Sequence, residues 1–293
     1  MNLDTEIKNF IASQLESWET AALNHRNLSG CRRKTFEIGG LKGYVQFNPA
    51  RIASNTAKVD SESIRARRCF LCPENRPGPQ KSLEIFPGWE VLVNPFPILP
   101  NHLTIANKQH IVQRLSVEAA YDIVGRLPGM TLFYNDDGAG ASAPDHCHFQ
   151  AVETKDLPLI QLIDRNLENF YKSPSESFPL SFEIPFRTVA GIIRSTQQIN
   201  EIEDFLSGKY RELYGKAPLN AFFWQAPDKS VRFLFVPRKT HRPECFFREL
   251  PERRSVSPGA IDMAGIIVTP FEEDFMLLDN KDIEKIYSEV AFG

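Results

Sequence analysis

The sequence is poor in cysteine, in net charge and in long hydrophobic runs, and each shortage excludes a class of protein. Five cysteines in 293 residues are too few and too scattered for a disulfide framework. The 34 basic and 37 acidic residues leave a net charge of only −3, which lacks the basic footprint of a general nucleic-acid binder. No apolar run approaches the roughly 18 residues of a membrane helix, and the segment MNLDTEIKNF lacks the features of a signal peptide. The composition therefore predicts a cytoplasmic protein with no nucleic-acid or membrane partner.

The order of apolar patterns predicts the fold class. Strand-like runs with a few intervening helices indicate an α+β fold, in which an antiparallel sheet carries flanking helices. An amphipathic helix is expected over the first 25 or so residues, and period-two alternation predicts a hairpin from Thr35 to Phe47. Strand, helix and hairpin patterns recur later, which indicates two related halves. We expect a helical segment at 1–34, a catalytic half at 35–175 and a second, degenerate half at 176–293.

A C-x-x-C motif, formed by Cys69 and Cys72, lies in an irregular stretch followed by the proline-rich turn PENRPGPQ. In a reducing compartment this spacing is typical of half a zinc site or of a redox pair. A structural zinc site needs about four ligands, usually cysteine and histidine. The histidines available for the remaining positions are His102, His110, His146 and His148.

The run HCHFQAVE is predicted to be a strand, and its alternation places three polar side chains on one face. His146, His148 and Gln150 share that face, whereas Cys147 and Phe149 point into the opposite layer. Polar groups of this kind are poor core material, because buried polar groups require partners. One histidine can bind a metal while its neighbour performs chemistry. A cysteine nucleophile at Cys147 is disfavoured, since it points away from both histidines.

Three segments carry a resemblance to a known family: CFLCPENRP, NKQHIVQRLS and FYNDDGAGASAPDHCHFQ. They resemble galactose-1-phosphate uridylyltransferase and its relatives in the histidine-triad superfamily. The later stretch SPGAIDMAGIIVTPFEEDF is similar to the GDP-hexose phosphorylases of that superfamily. The chain departs from the uridylyltransferase pattern at Cys147, where the family has proline, and at Ser142, which lies one residue from the family's serine. The second half also lacks the family's additional metal-binding histidines.

The resemblance implies roles for named residues. It implies a structural zinc ion bound by Cys69, Cys72, His110 and His146. His148 is the implied nucleophile, in agreement with the chemistry of a neutral imidazole, which accepts a nucleotidyl group and passes it on. The residues expected to bind substrate are Arg51, Asn94, Phe96, Asn135, Gly138, Gly140 and Ser142.

Some of these assignments have a plainer alternative. Asn94 and Phe96 fit two interpretations equally well: the family's base and ribose site, and a turn that ends a strand. Lys108 and the arginines in RARR either assist an acceptor phosphate or form a solvated face. His241, beside the RPEC segment, and Cys245, within it, are interpreted as structural. Mixed ligation favours zinc, although iron in the same ligand set stays open.

Gln150 indicates the kind of acceptor. An amide donates hydrogen bonds to a phosphate oxygen but cannot act as a general acid or base near neutral pH. An acceptor that already carries an anionic oxygen, such as phosphate or a sugar 1-phosphate, therefore suits the site better than water does. Gln150, with His148, is assigned to catalysis.

The predicted function is nucleotidyl transfer from a nucleoside-diphosphate sugar through a nucleotidyl-histidine that phosphate discharges, with a GDP-hexose type favoured. The enzymatic alternatives are a hexose-1-phosphate uridylyltransferase and a dinucleoside-polyphosphate phosphorylase. A rival from another class is a catalytically silent module, held together by zinc, that binds nucleotides or a protein. A homodimer is a further expectation.

Overall fold

Strands and helices are interspersed along the whole described chain. The computed structural model describes residues 3–52, 61–170, 180–183 and 185–293. Its strands are β1 (Arg32–Ile38), β2 (Leu41–Phe47), β3 (Leu83–Phe86), β4 (Trp89–Val93), β5 (Leu103–Asn107), β6 (Met130–Asn135), β7 (His148–Glu153), β8 (Leu180–Glu183), β9 (Arg187–Ile193), β10 (Leu219–Gln225), β11 (Val231–Pro237) and β12 (Ile266–Thr269). Its helices are α1 (Leu3–Ser17), α2 (Glu19–Asn27), α3 (Ser61–Ala66), α4 (Val117–Val124), α5 (Pro158–Phe170), α6 (Thr196–Ser207), α7 (Lys209–Tyr214), α8 (Ala260–Met263), α9 (Glu272–Leu277) and α10 (Asn280–Val290). The expected α+β class is confirmed.

The larger sheet has nine strands in the order β3-β4-β5-β7-β6-β10-β11-β9-β8. Every neighbouring pair is antiparallel. Five strands come from the first part of the chain and four from the second, and the pairing of β6 with β10 joins them into one sheet. The expected antiparallel sheet is confirmed, while the three-part division of the chain stays a prediction. The expected boundary between the halves, at 175 and 176, lies outside the described residues.

The smaller sheet contains β1, β2 and β12. β1 and β2 form the predicted hairpin, in which Ile38 pairs with Leu41. Gly39 and Gly40 between them have positive φ angles of 55° and 81°, a conformation that glycine adopts without a side-chain penalty. β12 adds parallel to β2, so a late segment of the chain packs beside an early hairpin.

Two apolar layers cover the two faces of the nine-stranded sheet. Because side chains alternate along a strand, Phe133 and Phe222 enter one layer, while Tyr134 and Phe223 enter the other. The first layer includes the small sheet with α5, α8, α9 and α10. The second includes α1, α2, α4, α6 and α7. The candidate site lies on the first face. No helix among the described residues is both long and apolar enough to cross a membrane.

The N-terminal helix is two helices rather than the one expected. Trp18 separates α1 from α2 with an extended backbone (φ −124°, ψ 93°), and its side chain is buried in the second layer. Ile7 and Ile11 are buried in the same layer, as the amphipathic pattern predicted. The apolar spacing continues through Trp18, so the pattern cannot reveal that the chain turns there to bury the indole.

Candidate active site

His148 is the first residue of β7, and hydrogen bonds fix its ring. Its Nδ1 lies 2.8 Å from the carbonyl oxygen of His146. A carbonyl only accepts, so Nδ1 carries the hydrogen and Nε2 keeps a lone pair. The residue is 3% exposed, and burial lowers the pKa of His148 to about 4, which leaves the ring neutral at pH 7. A neutral imidazole with a fixed tautomer is suited to act as a nucleophile.

Gln113 holds the backbone of this histidine. In the β6–β7 ladder the last registered pair is Phe133 with Gln150. Two positions beyond that pair, where the same register would set Asn135 opposite His148, the Gln113 amide bridges the two strands. Its Oε1 accepts the His148 N–H at 2.8 Å, and its Nε2 donates to the carbonyls of Asn135 (2.9 Å) and His148 (3.0 Å). The sequence reasoning missed Gln113, because a glutamine in an irregular segment carries no periodic signal.

The Gln150 amide is oriented by a second buried histidine. The Ile98 N–H donates to His102 Nδ1 at 3.2 Å, so His102 Nε2 carries the hydrogen and donates to Gln150 Oε1 at 2.8 Å. Asn94 Nδ2 approaches the same oxygen at 3.5 Å. Burial, followed by the charge of Arg51, lowers the pKa of His102 to about 3, so the ring stays neutral. Because the Gln150 oxygen accepts from His102, its NH₂ group is the part of the amide that can donate to a ligand.

His148 and Gln150 line a cavity of about 570 Å³. The structure places most of the sequence-predicted substrate residues in its wall. They are Arg51, Asn94, Phe96, Asn135, Gly140 and Ser142. Gly138 is not among the lining residues; it lies in the same loop with a φ of 78°. The predicted phosphate-binding loop therefore reaches the cavity at its second glycine.

Arg51, Phe96 and Asn94 form one part of that wall. Arg51 Nη1 donates to the Phe96 carbonyl at 2.6 Å, and the Phe96 N–H donates to Asn94 Oδ1 at 3.0 Å. Burial lowers the pKa of Arg51 to about 10, so the guanidinium stays charged. Asn94 and Phe96 thus form a turn after β4 and also line the cavity, so the two alternatives that the sequence left open for them do not exclude each other.

Asn135 and Gly140 connect the loop to a late segment of the chain. Asn135 Oδ1 accepts hydrogen bonds from Asn220 Nδ2 (2.9 Å) and from the Ala260 N–H (2.7 Å). Gly140 has a φ of 98°, and a Cβ placed on it would lie 2.7 Å from Gly259 Cα. Asn135 thus has a structural function in addition to lining the cavity, and Gly140 is required for close backbone contact.

Four potential metal ligands converge beside the cavity, as the resemblance implied. Cys69 Sγ lies 3.3 Å from His146 Nδ1, and Cys72 Sγ lies 3.2 Å from His110 Nδ1. The four ligand atoms all lie within 4.8 Å of one another. His146 Nε2 lies 2.8 Å from the Asn107 carbonyl, which fixes the tautomer that leaves Nδ1 as the ligand atom. Two thiols and two imidazoles at this spacing fit a single tetrahedral metal ion.

Cys147 lies on the other face of the sheet, as alternation predicted. Its Sγ is buried in the second apolar layer and donates to the Arg114 carbonyl at 3.4 Å. Burial raises the pKa of the Cys147 thiol. A protonated thiol that faces away from the cavity has no access to a substrate there.

Several cavity residues come from parts of the sequence that were interpreted otherwise. Arg67 lines the cavity, whereas Lys108 pairs with Glu84 at the surface. Arg67 Nη2 donates to Asp145 at 2.6 Å, while its buried Nη1 finds no acceptor in the described part of the chain. His241, interpreted as structural, lines the cavity too. Further lining residues from the late segment are Arg242, Ser257 and Asp262. The SPGAID run was the available signal for the last of these.

Comparisons with known proteins agree with this fold. A family model described as a domain of unknown function (DUF4922) matches residues 10–153. No curated protein sequence matches the chain. Yeast Ap4A phosphorylase Apa2 in complex with AMP is 15% identical, with 96% of each chain covered and a TM-score of 0.61. The same enzyme with Ap4A is 16% identical, with 94% of this chain and 97% of that chain covered and a TM-score of 0.60.

An ADP-glucose phosphorylase from Arabidopsis thaliana with bound ADP-glucose is 12% identical, with 87% of this chain and 99% of that chain covered and a TM-score of 0.39.

At 15 to 16% identity, the similarity to the yeast enzyme shows the fold. The chain has the fold of Ap4A phosphorylase over nearly its whole length. The fold that the sequence resemblance implied is thereby confirmed.

Proposed function

We propose that the protein is a nucleotidyltransferase that uses His148 as a covalent catalyst. The observation that carries the proposal is the geometry of that ring. Its Nδ1 is bound to the His146 carbonyl, its neutral Nε2 is available, and both it and the Gln150 amide line one cavity. This arrangement meets the requirements of a nucleophile and of a donor to developing negative charge.

The reaction has two steps. In the first, the lone pair of His148 Nε2 attacks the α-phosphorus of the donor, a P–N bond forms, and the P–O bond to the leaving phosphate breaks. The leaving group departs as a phosphate anion and needs no proton. In the second, an oxygen of inorganic phosphate attacks the same phosphorus and the P–N bond breaks. Gln150 donates to the phosphate oxygens in both steps.

The proposed donor is a nucleotide joined through a phosphoanhydride to a sugar 1-phosphate, and a GDP-hexose is the type that the sequence favours. A dinucleoside polyphosphate is a second candidate, because the fold similarity to yeast Ap4A phosphorylase covers 96% of both chains. Both donors present the same α-phosphorus to His148, so the mechanism is shared. A homodimer and a cytoplasmic location remain expectations from the sequence.

The four-ligand cluster would hold zinc. Cys69, Cys72, His110 and His146 supply all four positions of a tetrahedral ion, so zinc there would be structural, with no position open for water. His146 is the residue whose carbonyl binds His148 Nδ1. Fixing the His146 ring therefore also fixes the orientation of the nucleophile.

Intact-protein mass spectrometry tests the mechanism. The protein is mixed with GDP-, UDP- and ADP-sugars and with Ap4A in phosphate-free buffer, and phosphate is then added. We expect a nucleotidyl adduct with one nucleotide type that disappears on addition of phosphate. The variant His148→Ala should form no adduct, while the neighbouring Cys147→Ser should form it normally.

The outcomes separate the candidates. An adduct that persists until a sugar 1-phosphate is added would favour a uridylyltransferase type of reaction over a phosphorylase. An adduct formed only with Ap4A would select the dinucleoside polyphosphate. Binding of a nucleotide without an adduct from any donor would favour the catalytically silent module and reject the proposed mechanism.

A further inference from the structure

The second half of the chain contributes its own polar cluster to the cavity. Ser257 Oγ lies 3.0 Å from Arg242 Nε and 3.0 Å from His241 Nε2, and all three residues line the cavity. Arg242 can only donate, so the Ser257 hydroxyl accepts from it and donates its own hydrogen to His241 Nε2. Burial and the nearby arginines lower the pKa of His241 to about 3 and keep it neutral. The cluster therefore has one positive charge and a fixed hydrogen-bond arrangement.

Arg242 is contacted by groups that do not neutralise its charge. Its guanidinium carbon lies 4.2 Å from the centroid of the Phe246 ring, and its Nε is bound to Ser257. Within the described part of the chain no carboxylate forms an ion pair with it, and its two terminal nitrogens have no hydrogen-bond acceptor there. Arg67, by contrast, pairs with Asp145 across the cavity wall. A half-buried arginine fork with an uncompensated charge is suited to bind an oxyanion in two-point contact.

The cluster is joined to the residues that surround His148. The segment that follows Ser257 packs against the small-residue loop, where Gly259 Cα would lie 2.7 Å from a Cβ on Gly140. The Ala260 N–H binds Asn135 at the end of β6. The cluster and His148 thus line one cavity.

We propose that Arg242 and Ser257 form a second anion subsite, which binds a phosphate group other than the one that His148 attacks. That group is either the acceptor phosphate or a distal phosphate of the donor; the shared chemistry is a phosphate oxyanion. The interpretation as acceptor or donor phosphate rests on the proposed function, whereas the binding itself does not.

Binding of base-free anions tests the subsite. Isothermal titration calorimetry would measure the affinity of inorganic phosphate and of tripolyphosphate for the wild-type protein, for Arg242→Gln and for Arg253→Gln. Arg253 is the matched control, because it is exposed and also stacks on Phe246, at 5.5 Å, but does not line the cavity. We expect Arg242→Gln to weaken tripolyphosphate binding about tenfold or more. Arg253→Gln should change it less than about twofold.

The two sources of phosphate give different results. Weaker binding of inorganic phosphate as well as tripolyphosphate would identify the acceptor, while loss of tripolyphosphate affinity alone would identify a distal phosphate of the donor. Equal affinities in wild type and Arg242→Gln, or no tripolyphosphate binding by the wild type at millimolar concentration, would overturn the subsite. If Arg242→Gln does not fold, Ser257→Ala must weaken tripolyphosphate binding instead.

Failure of this inference is distinguishable from failure of the proposed function. Anion binding is measured without turnover, and the adduct on His148 is measured by mass. A wild-type protein that binds tripolyphosphate through Arg242 but forms no adduct would retain the subsite and lose the mechanism. An adduct with normal anion binding by Arg242→Gln would retain the mechanism and lose the subsite.

Discussion

Replacing Gln113 with alanine tests how the proposed nucleophile, His148, is positioned. Gln113 is 6% exposed, and its side chain makes three hydrogen bonds to backbone groups, two of them to His148 itself. Gln113→Ala removes all three bonds and leaves the His148 N–H and two carbonyls without these partners. The strands β6 and β7 then lose their connection at the point where the ladder has already ended.

The expected loss of stability follows from the number of bonds. A net loss of about 1 kcal/mol for each buried hydrogen bond gives a decrease of about 3 kcal/mol in the free energy of unfolding. For a chain of this size that corresponds to a fall of about 6 °C in Tm. Because His148 loses its backbone anchor, the adduct on His148 should also form at least tenfold more slowly.

Thermal unfolding followed by circular dichroism, together with the rate of adduct formation, provides the assay. Gln109→Ala is the control, since Gln109 is exposed in the same irregular segment; it should change stability by less than about 0.5 kcal/mol. If Gln113→Ala melts within about 1 °C of Gln109→Ala, the inserted amide does not support the ends of the two strands.

Three further predictions concern other parts of the site. Cys69→Ser should reduce bound metal from about one ion per chain to little or none by elemental analysis, whereas Cys31→Ser should retain it; equal metal content would remove Cys69 from the ligand set. Gly140→Ala should lower the free energy of unfolding by about 1 to 3 kcal/mol, because its φ is 98° and its Cβ would collide with Gly259; an unchanged melting curve would contradict this. Burial lowers the pKa of His102 from 6.5 to about 3. Between these two pH values, His102 is therefore protonated in the unfolded chain and neutral in the folded chain. Stability should therefore fall as pH drops through that window, by up to about 1.4 kcal/mol per unit from this residue; parallel pH profiles for wild type and His102→Phe would refute it.

The side-chain directions along β7 could be predicted because the information that sets them is local. Alternation with period two assigned His148 and Gln150 to one face and Cys147 to the other. In the structure, His148 and Gln150 line the cavity and Cys147 is buried in the opposite apolar layer. The hairpin of β1 and β2 was predicted by the same alternation with two glycines at its turn. Successive side chains in a strand point to opposite faces, so one short segment is sufficient to predict which residues share a face.

The convergence of the metal ligands was predicted through the resemblance rather than from the pattern. Local spacing pairs Cys69 with Cys72, but it cannot choose among the histidines. The resemblance selected His110 and His146, and the structure places both beside the two thiols. The choice depends on how β5 and β7 pair, which no local pattern contains.

Local order and alternation in the sequence were sufficient to predict the α+β class and the shared face of β7 on which His148 and Gln150 lie. The groups that orient His148 and Gln150 became identifiable only from the three-dimensional arrangement. Gln113 enters a gap between two strands, His102 directs the Gln150 amide, and Arg242 reaches the cavity from the second half. These contacts could not be predicted because they join residues that are far apart in the chain: Asn135 and Ala260, for example, are 125 residues apart. Hydrogen bonds of that kind depend on strand pairing and packing, which bring distant residues together without leaving a periodic trace in the sequence.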